Sequence, residues 1–520
     1  MGHVTTGGLA ALAGVMLTLG CSAQGNAVPA AAVGDRLVST VAWKDCPSYS
    51  DEVISSLGYT GEQTTRFREQ MKRMECGTVG VPLDYRHPDG RKISIAVTRL
   101  KAVDTGHRLG SLAIAPGGPG NSGYLDPLRV TLKNAELARL NDRYDLIGFD
   151  PRGVNYSTKT ACVGTQPPDV GPGPLTKASA EKLYRSQVAD NAACGRSDPA
   201  FLGQLTTANV ARDLDLVRQA LGAGRLNVYG LSWGTWLGAV YRSMFPGHTG
   251  RVFLDSTAPP WTRLDEHAKG TAAATERNFA RMAAWLARYN ATYHLGATAK
   301  QVRSAVLRLR HDYDAAPKTF TDLATPVDGA SIAQLASSTS PSWPQAGRAL
   351  AELREPTGAQ APPTVKVILG APQGPGQEQP APGAPEILNM TMNRATICNE
   401  DASRFSFSTA WAAYKERLKA DPVTAYLFDS GCFGWPMPAQ ETKLRRTPGP
   451  LVLSGHRYEF MSPYEWTWQM QAAIGGKVYT VDDDVHVSTQ RADACAADVT
   501  AYFNTGRIDR GCTGVQPPTL

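Results

Sequence analysis

Residues Val228–Gly238 read VYGLSWGTWLG. The stretch opens on the end of an apolar run, RLNVYGLSWG (Arg225–Gly234), and passes into TWLGAVYRSMFP (Thr235–Pro246), which has helical spacing. Ser232 stands between Gly230 and Gly234 at the change of period. A Gly-x-Ser-x-Gly segment on a tight strand-to-helix turn projects the serine Oγ, and its small neighbours relieve crowding at a strained backbone. A serine hydroxyl is a weak nucleophile at neutral pH. It needs a base within reach, a group that orients the base, and donors for the developing oxyanion. The pattern alone is short enough to arise by chance, so the rest of the chain has to supply these parts.

Upstream, KISIAVTRLKA (Lys92–Ala102) alternates apolar and polar residues, while GSLAIAPGGPG (Gly110–Gly120) and YDLIGFDPRG (Tyr144–Gly153) are short apolar runs ending in Gly-rich turns. TTANVARDLDLVRQALG (Thr206–Gly222) places Val210, Leu214, Val217 and Leu221 on one helical face and ends at Gly222, as helix C-termini favour. Such alternation predicts an α/β fold with a mostly parallel central sheet. After GRVFLDSTAPP (Gly250–Pro260) the character changes to Ala/Arg-rich helices such as ERNFARMAAWLARY (Glu276–Tyr289) and AKQVRSAVLRLRHDYD (Ala299–Asp314). A Pro/Gly/Gln-rich stretch, Gly370–Glu386, reads as an exposed loop. Sheet signals return at GPLVLSGH (Gly449–His456) and GKVYTVDDDVH (Gly476–His486). The division expected is a leader over 1–34, a core over 35–259 and 441–520, and an inserted helical cap over 260–440. Residues 35 to about 85 read as an extension that precedes the sheet.

In this order of elements the acid follows the nucleophile and the histidine comes last. Of the histidines after Ser232, His248 lies too close to the elbow's helix, and His267, His294 and His311 lie in the cap. His456 ends a strand before any acid there, whereas His486 follows the last strand-like run and is the expected base. Glu459, in LVLSGHRYEFMSP (Leu451–Pro463), is the expected acid, able to hold the imidazole tautomer. Asp482, Asp483 and Asp484 are rivals by proximity to His486, read here as a solvated turn. The oxyanion donors expected are the backbone N–H of Trp233 and the turn APGGPGNSG (Ala115–Gly123), where Gly117 and Gly118 let the backbone approach a carbonyl.

The 520 residues carry a net charge of +6 with no Lys/Arg block, which argues against a nucleic-acid partner. The first 34 residues contain no Lys, Arg, Asp or Glu, and LAALAGVMLTLGCSAQ (Leu9–Gln24) reads as a secretory signal. TLGC (Thr18–Cys21) is close to a lipoprotein box, so lipidation at Cys21 and simple cleavage nearby both stand. The other cysteines fall in sequential neighbour pairs: Cys46 and Cys76, Cys162 and Cys194, Cys398 and Cys432, Cys495 and Cys512. In an oxidising compartment these are expected to form disulfides, although sequence alone does not fix their connectivity. The absence of Cys-x-x-Cys or Cys/His clusters argues against zinc.

Together, PGGPGNSG, YDLIGFDPRGVNYS, DLDLVRQALG, YGLSWGTWLGAVYRSMFP, RVFLDS, SPYEW and the late Val485–His486 resemble the secreted tripeptidyl aminopeptidases of actinobacteria. These are α/β-hydrolase serine peptidases related to proline iminopeptidases. ATICNED (Ala395–Asp401) is similar to the family's Cys-containing segment. The resemblance implies an exopeptidase that releases short peptides from free N-termini, with Ser232 as nucleophile, His486 as base and Glu459 as acid. Three positions depart from the family pattern: Glu459 stands where Asp is usual, Val485 where Gly is usual, and Trp233 where Tyr is usual. Glu400 and Asp401 are candidates for holding the substrate ammonium. Their alternative reading is a charge pair at the start of a helix over Ala402–Leu418. A peptide or small acyl substrate, no metal or organic cofactor, and a monomer at the cell envelope or outside the cell are expected. An esterase with the same residues, or an envelope-binding protein on a weakened scaffold, are the alternatives.

Overall fold

The computed structural model describes residues 40–162, 168–370, 381–404, 406–428 and 431–520. The expected leader, Cys21 and residues 371–380 of the Pro/Gly/Gln-rich stretch lie outside these.

Among the described residues a ten-stranded sheet runs in the order β1-β2-β3-β5-β4-β6-β7-β8-β9-β10. The strands are β1 Ala42–Lys44, β2 Met74–Pro82, β3 Lys92–Leu100, β4 Gly110–Ala115, β5 Tyr144–Phe149, β6 Leu226–Leu231, β7 Thr249–Asp255, β8 Leu451–His456, β9 Lys477–Val481 and β10 Gly511–Cys512. From β5 to β10 every neighbouring pair is parallel. β1, β2, β3 and β5 pair antiparallel. Every residue of β5, β6 and β8 is buried, as expected for parallel strands covered on both faces. The helix Thr207–Ala220 starts at Thr206, whose hydroxyl accepts from the Asn209 N–H, and buries Val210, Leu214 and Val217 against the sheet. Its end is followed by Gly222 at φ +66°.

Three sequence expectations need correction. The stretch before residue 85 is not only an extension: β2 is a full member of the sheet, in register with β3 from Met74↔Leu100 to Pro82↔Lys92. Its Cys, Gly and Pro residues, in MECGTVGVP, hid the strand. Within the expected cap range, the helices Leu264–Arg288, Ala299–Ala315, Gly329–Ala336, Trp343–Glu352 and Pro363–Leu369 build a separate core around Trp285, Leu286, Val306, Trp343 and Leu350. Burial of each such side chain contributes about 1.5–3 kcal/mol or more. The helix Met390–Glu400, in the same range, packs instead into the sheet's core through Met392, Ala395 and Cys398. Conversely, the helix Lys177–Ser197, before that range, sets Tyr184 against Phe407 and Phe433.

Disulfides join Cys46 to Cys76, Cys162 to Cys194, Cys398 to Cys432 and Cys495 to Cys512. The DPRG motif is structural. Arg152 is buried, with both its Nε and Nη2 on Asp213 (2.7 and 2.6 Å), and Tyr85 donates to the same carboxylate (2.7 Å).

Candidate active site

The elbow is a strained turn held by small residues. Ser232 follows β6 directly and sits at φ +56°, ψ −121°, a region that a side chain occupies at a cost of about 1–3 kcal/mol. It is the N-cap of the helix Trp233–Met244 without capping it by its side chain, so Oγ is not spent on the helix. A Cβ on Gly230 would meet the Gly234 carbonyl, and one on Gly234 would meet that of Ala115. Both glycines are therefore required by close backbone approach. Trp233, as the first helical residue, has an N–H without an intrahelical partner. A Cβ built on Gly117 would lie 3.3 Å from Ser232 Cβ, which places the Ala115–Gly123 turn beside the serine. Gly118 there has φ +107°.

Across the cavity, His486 follows β9 and Glu459 follows β8. His486 Nδ1 is hydrogen-bonded to Glu459 Oε1, and the carboxyl group is buried. The same oxygen accepts the Ser462 N–H (3.1 Å), and Oε2 accepts the Ser256 hydroxyl (2.9 Å). Ser256 Oγ in turn accepts the Val487 N–H (2.8 Å). Ser256, at φ +56° just after β7, thus braces both the carboxylate and the backbone that follows the histidine. A carboxylate on Nδ1 fixes the tautomer that leaves Nε2 as the basic nitrogen.

The Asp482–Asp484 run is not a solvated turn. Only Asp482 is exposed, paired with Arg457 (2.8 Å). Asp483 and Asp484 are buried. Asp484 accepts from Ser340 Oγ and N–H (2.6 and 2.9 Å) and from Asn278 (3.0 Å), which ties the histidine loop to the cap helices. Asp483 accepts from His456 (2.7 Å), whose other ring nitrogen meets Asp255 (2.9 Å). Both acids are committed to partners other than His486.

Ser232 and His486 line one cavity of about 770 Å³ together with Gly118, Trp233, Glu400 and Asp401. Trp236, Trp261, Leu264, Phe460 and Trp466 make much of its wall apolar. The charge-pair alternative for Glu400 and Asp401 fails, because the following helix starts at Phe407 under Ser406, and Glu400 is the last residue of Met390–Glu400. Glu400 is buried. It accepts from the Thr207 N–H (2.5 Å) and hydroxyl (3.1 Å) and from the Trp236 indole (3.1 Å), all neutral donors. Burial pushes its carboxyl up to about 7 against those bonds. Asp401 Oδ1 accepts the N–H groups of Leu264 (3.1 Å) and Ser403 (2.9 Å), pinning the chain where the cap helices begin.

Sequence reading missed Ser256, Thr207 and Trp236. Ser256 had a signal, a serine directly after the strand run VFLD. Thr207 and Trp236 had none, because their partner lies far along the chain.

Fold and site define a serine hydrolase of the α/β type, and similarity to known proteins agrees. A family model of the alpha/beta hydrolase fold matches residues 111–319, and one described as TAP-like protein matches 418–515. The chain is 31% identical over 471 residues to the tripeptidyl aminopeptidase of Streptomyces lividans, covering 84% of this chain and 83% of that one. The same identity and length relate it to the Streptomyces coelicolor tripeptidyl aminopeptidase, over 84% and 82%. The serine protease Hip1 of Mycobacterium tuberculosis is 37% identical over 193 residues, 36% of each chain. The chain belongs to the tripeptidyl aminopeptidase family.

Proposed function

We propose that this protein is an exported serine exopeptidase that releases short peptides, tripeptides among them, from free N-termini. The observation that carries the reading is a buried carboxylate with neutral donors, Glu400, in the same cavity as Ser232 and His486. An unpaired buried carboxylate is costly, and a substrate ammonium entering the cavity offsets that cost. Asp401 lies beside it on the cavity wall, with the charges of Arg263 and Arg404 near it.

In the proposed mechanism Ser232 Oγ attacks the scissile carbonyl while His486 Nε2 takes its proton. Glu459 holds the imidazole and stabilises the imidazolium that forms. The Trp233 N–H and the Gly117–Gly118 backbone receive the oxyanion, where loss of one donor typically costs about 2.7–4 kcal/mol. His486 then protonates the leaving amine, and water, activated by the same imidazole, hydrolyses the acyl-enzyme. The Trp233 side chain need not matter to this step, since its donor is backbone.

The helices from Leu264–Arg288 to Pro363–Leu369, with their separate core, serve as the cap in this reading and limit what reaches Ser232. The protein acts as a monomer outside the cytoplasm, its leader cleaved or Cys21 lipidated. The disulfides support an oxidising compartment. A panel of fluorogenic mono-, di-, tri- and tetrapeptides, each with free and acylated amines, tests the proposal. Cleavage confined to free amines and best for tripeptides is expected. Equal turnover of acylated substrates or simple esters would give the esterase reading instead.

A further inference from the structure

His456 ends β8, is fully buried, and touches neither the cavity nor Ser232 in the proposed chemistry. Its ring lies between two buried carboxylates on different elements. Nε2 meets Asp255 Oδ1 at 2.9 Å, at the end of β7, and Nδ1 meets Asp483 Oδ1 at 2.7 Å, in the turn after β9. A neutral imidazole carries one N–H and one lone pair. It satisfies one of these oxygens and repels the other. With both carboxylates ionised, only the imidazolium satisfies both contacts.

Each carboxylate is joined to the backbone of the proposed machinery. The Asp255 carbonyl accepts the Ser232 N–H (3.0 Å), and its Oδ1 accepts the N–H of Ser256, the residue that braces Glu459 (3.1 Å). Its Oδ2 accepts the hydroxyl of Thr489, on the turn after His486. Asp483 Oδ2 accepts from Ser488 (2.5 Å) and the Val515 N–H (2.8 Å), and Oδ1 stands 3.4 Å from the Val485 N–H. The two acids therefore hold the chain on both sides of His486, and Asp255 also holds the elbow. Val487, between His486 and Ser488, is at φ +50°, a backbone that a β-branched residue adopts only when its surroundings impose it.

We propose that His456 is a positioning residue, a buried imidazolium that clamps Asp255 to Asp483 and so fixes the Ser232 elbow relative to the His486 loop. The groups facing its ring are Asp255 from β7, Asp483 and the Ser488 hydroxyl (3.2 Å) from the histidine loop, and Glu459 on its own loop acting by charge. Burial alone would disfavour the cation. The charge of Asp255 and the bonds to both acids hold the imidazole well above the ordinary histidine range.

The inference rests on the proposed roles of Ser232 and His486, and two substitutions test it. His456→Gln removes the cation and leaves both acids, so the site beside Glu459 and His486 becomes more negative. Asp483→Asn keeps shape and one acceptor but removes an anion. With His486 as the base, the acid limb of kcat/KM is expected to move to higher pH in His456→Gln and to move less in Asp483→Asn, where loss of one anion lets the imidazole give up its proton. The kcat of His456→Gln should fall at least about tenfold with KM within about threefold, and the loss in Asp483→Asn should be smaller. A packing role alone would lower the melting temperature without moving the limb. If His456→Gln does not fold, the 15N shifts of the His456 ring in the wild type carry the test: both nitrogens protonated is the expected result, and a neutral ring would overturn the proposal. A folded His456→Gln with an unmoved limb would overturn the role of His456, whereas retained activity in Ser232→Ala would overturn the reading beneath it.

Discussion

Two buried glutamates belong to this site, Glu400 on the cavity wall and Glu459 behind His486, and their surroundings differ. Glu459 follows a sheet strand and is met by an imidazole, a hydroxyl and a backbone N–H. Glu400 ends a helix and is met by a hydroxyl, a backbone N–H and an indole. Glu459 has a partner that can carry a positive charge within the protein, and in the proposed reading Glu400 receives one from outside. In that reading the same side chain serves two tasks, orienting a base and binding an ammonium, according to what the fold places against it. The two also differ in framework. The Glu459 side hangs on the sheet and the Asp255–His456–Asp483 clamp, while the Glu400 side is tied by the Cys398–Cys432 bridge two residues away.

The largest effect should come from Glu459→Gln. Loss of the imidazole's orienting carboxylate is expected to lower kcat by roughly 10³–10⁴-fold on any acyl substrate, free or acylated. Fluorophosphonate labelling of Ser232 should slow in parallel. An intact rate would break the comparison and leave Glu459 a structural acid. Glu400→Gln should act differently. Loss of a buried charge contact, about 2–4 kcal/mol, corresponds to roughly thirty- to thousandfold in kcat/KM for free-amine substrates. The labelling rate with fluorophosphonate should hardly change.

The pH dependence sharpens the same contrast. Burial raises Glu400 to about 7, so kcat/KM for free-amine peptides should gain a component that rises through that pH as the carboxyl ionises. Labelling of Ser232, which needs no ammonium site, should lack that component in the wild type, and Glu400→Gln should lose it with peptides. Replacing Cys398 and Cys432 by Ser is expected to cost about 2–4 kcal/mol of stability, read from denaturant unfolding. It should raise KM for peptides more than it lowers the labelling rate.

The smallest effect concerns stability. A carboxyl whose folded pKa lies above its unfolded value favours folding below the unfolded pKa, near 4.5, and loses that contribution as pH rises to about 7. Above pH 7 the ionised Glu400 is therefore a burden of order 1–3 kcal/mol. Glu400→Gln should melt higher than the wild type at pH 8 and not at pH 4.5. A lower melting temperature at both would show that the carboxylate stabilises the fold.

Much of the Glu459 side was legible because it follows chain order. The apolar runs, the Gly230–Ser232–Gly234 turn and a histidine after the last strand are local patterns, and a strand-end acid can be counted off. The Glu400 side was legible only as a family segment, since the donors that set its environment, Thr207 and Trp236, are spread along the sequence. The aspartate run was misread for the same reason. Asp482, Asp483 and Asp484 are identical in sequence, yet one meets solvent and Arg457, one meets His456 and one meets cap residues more than a hundred positions away. β2 was hidden because its Glu, Gly, Thr and Pro residues interrupt the apolar run, although Met74, Val79 and Val81 pack into the core.

The central claim is that Ser232 and Glu400 act on one substrate, the first at its carbonyl and the second at its free amine. The most direct measurement is kcat/KM for a matched pair of fluorogenic tripeptides, free and N-acetylated, in the wild type and in Glu400→Gln. The account predicts a preference for the free amine of about a hundredfold or more, collapsing to near unity in Glu400→Gln while fluorophosphonate labelling persists. Equal rates on both substrates in the wild type, or a preference unchanged by Glu400→Gln, would contradict it.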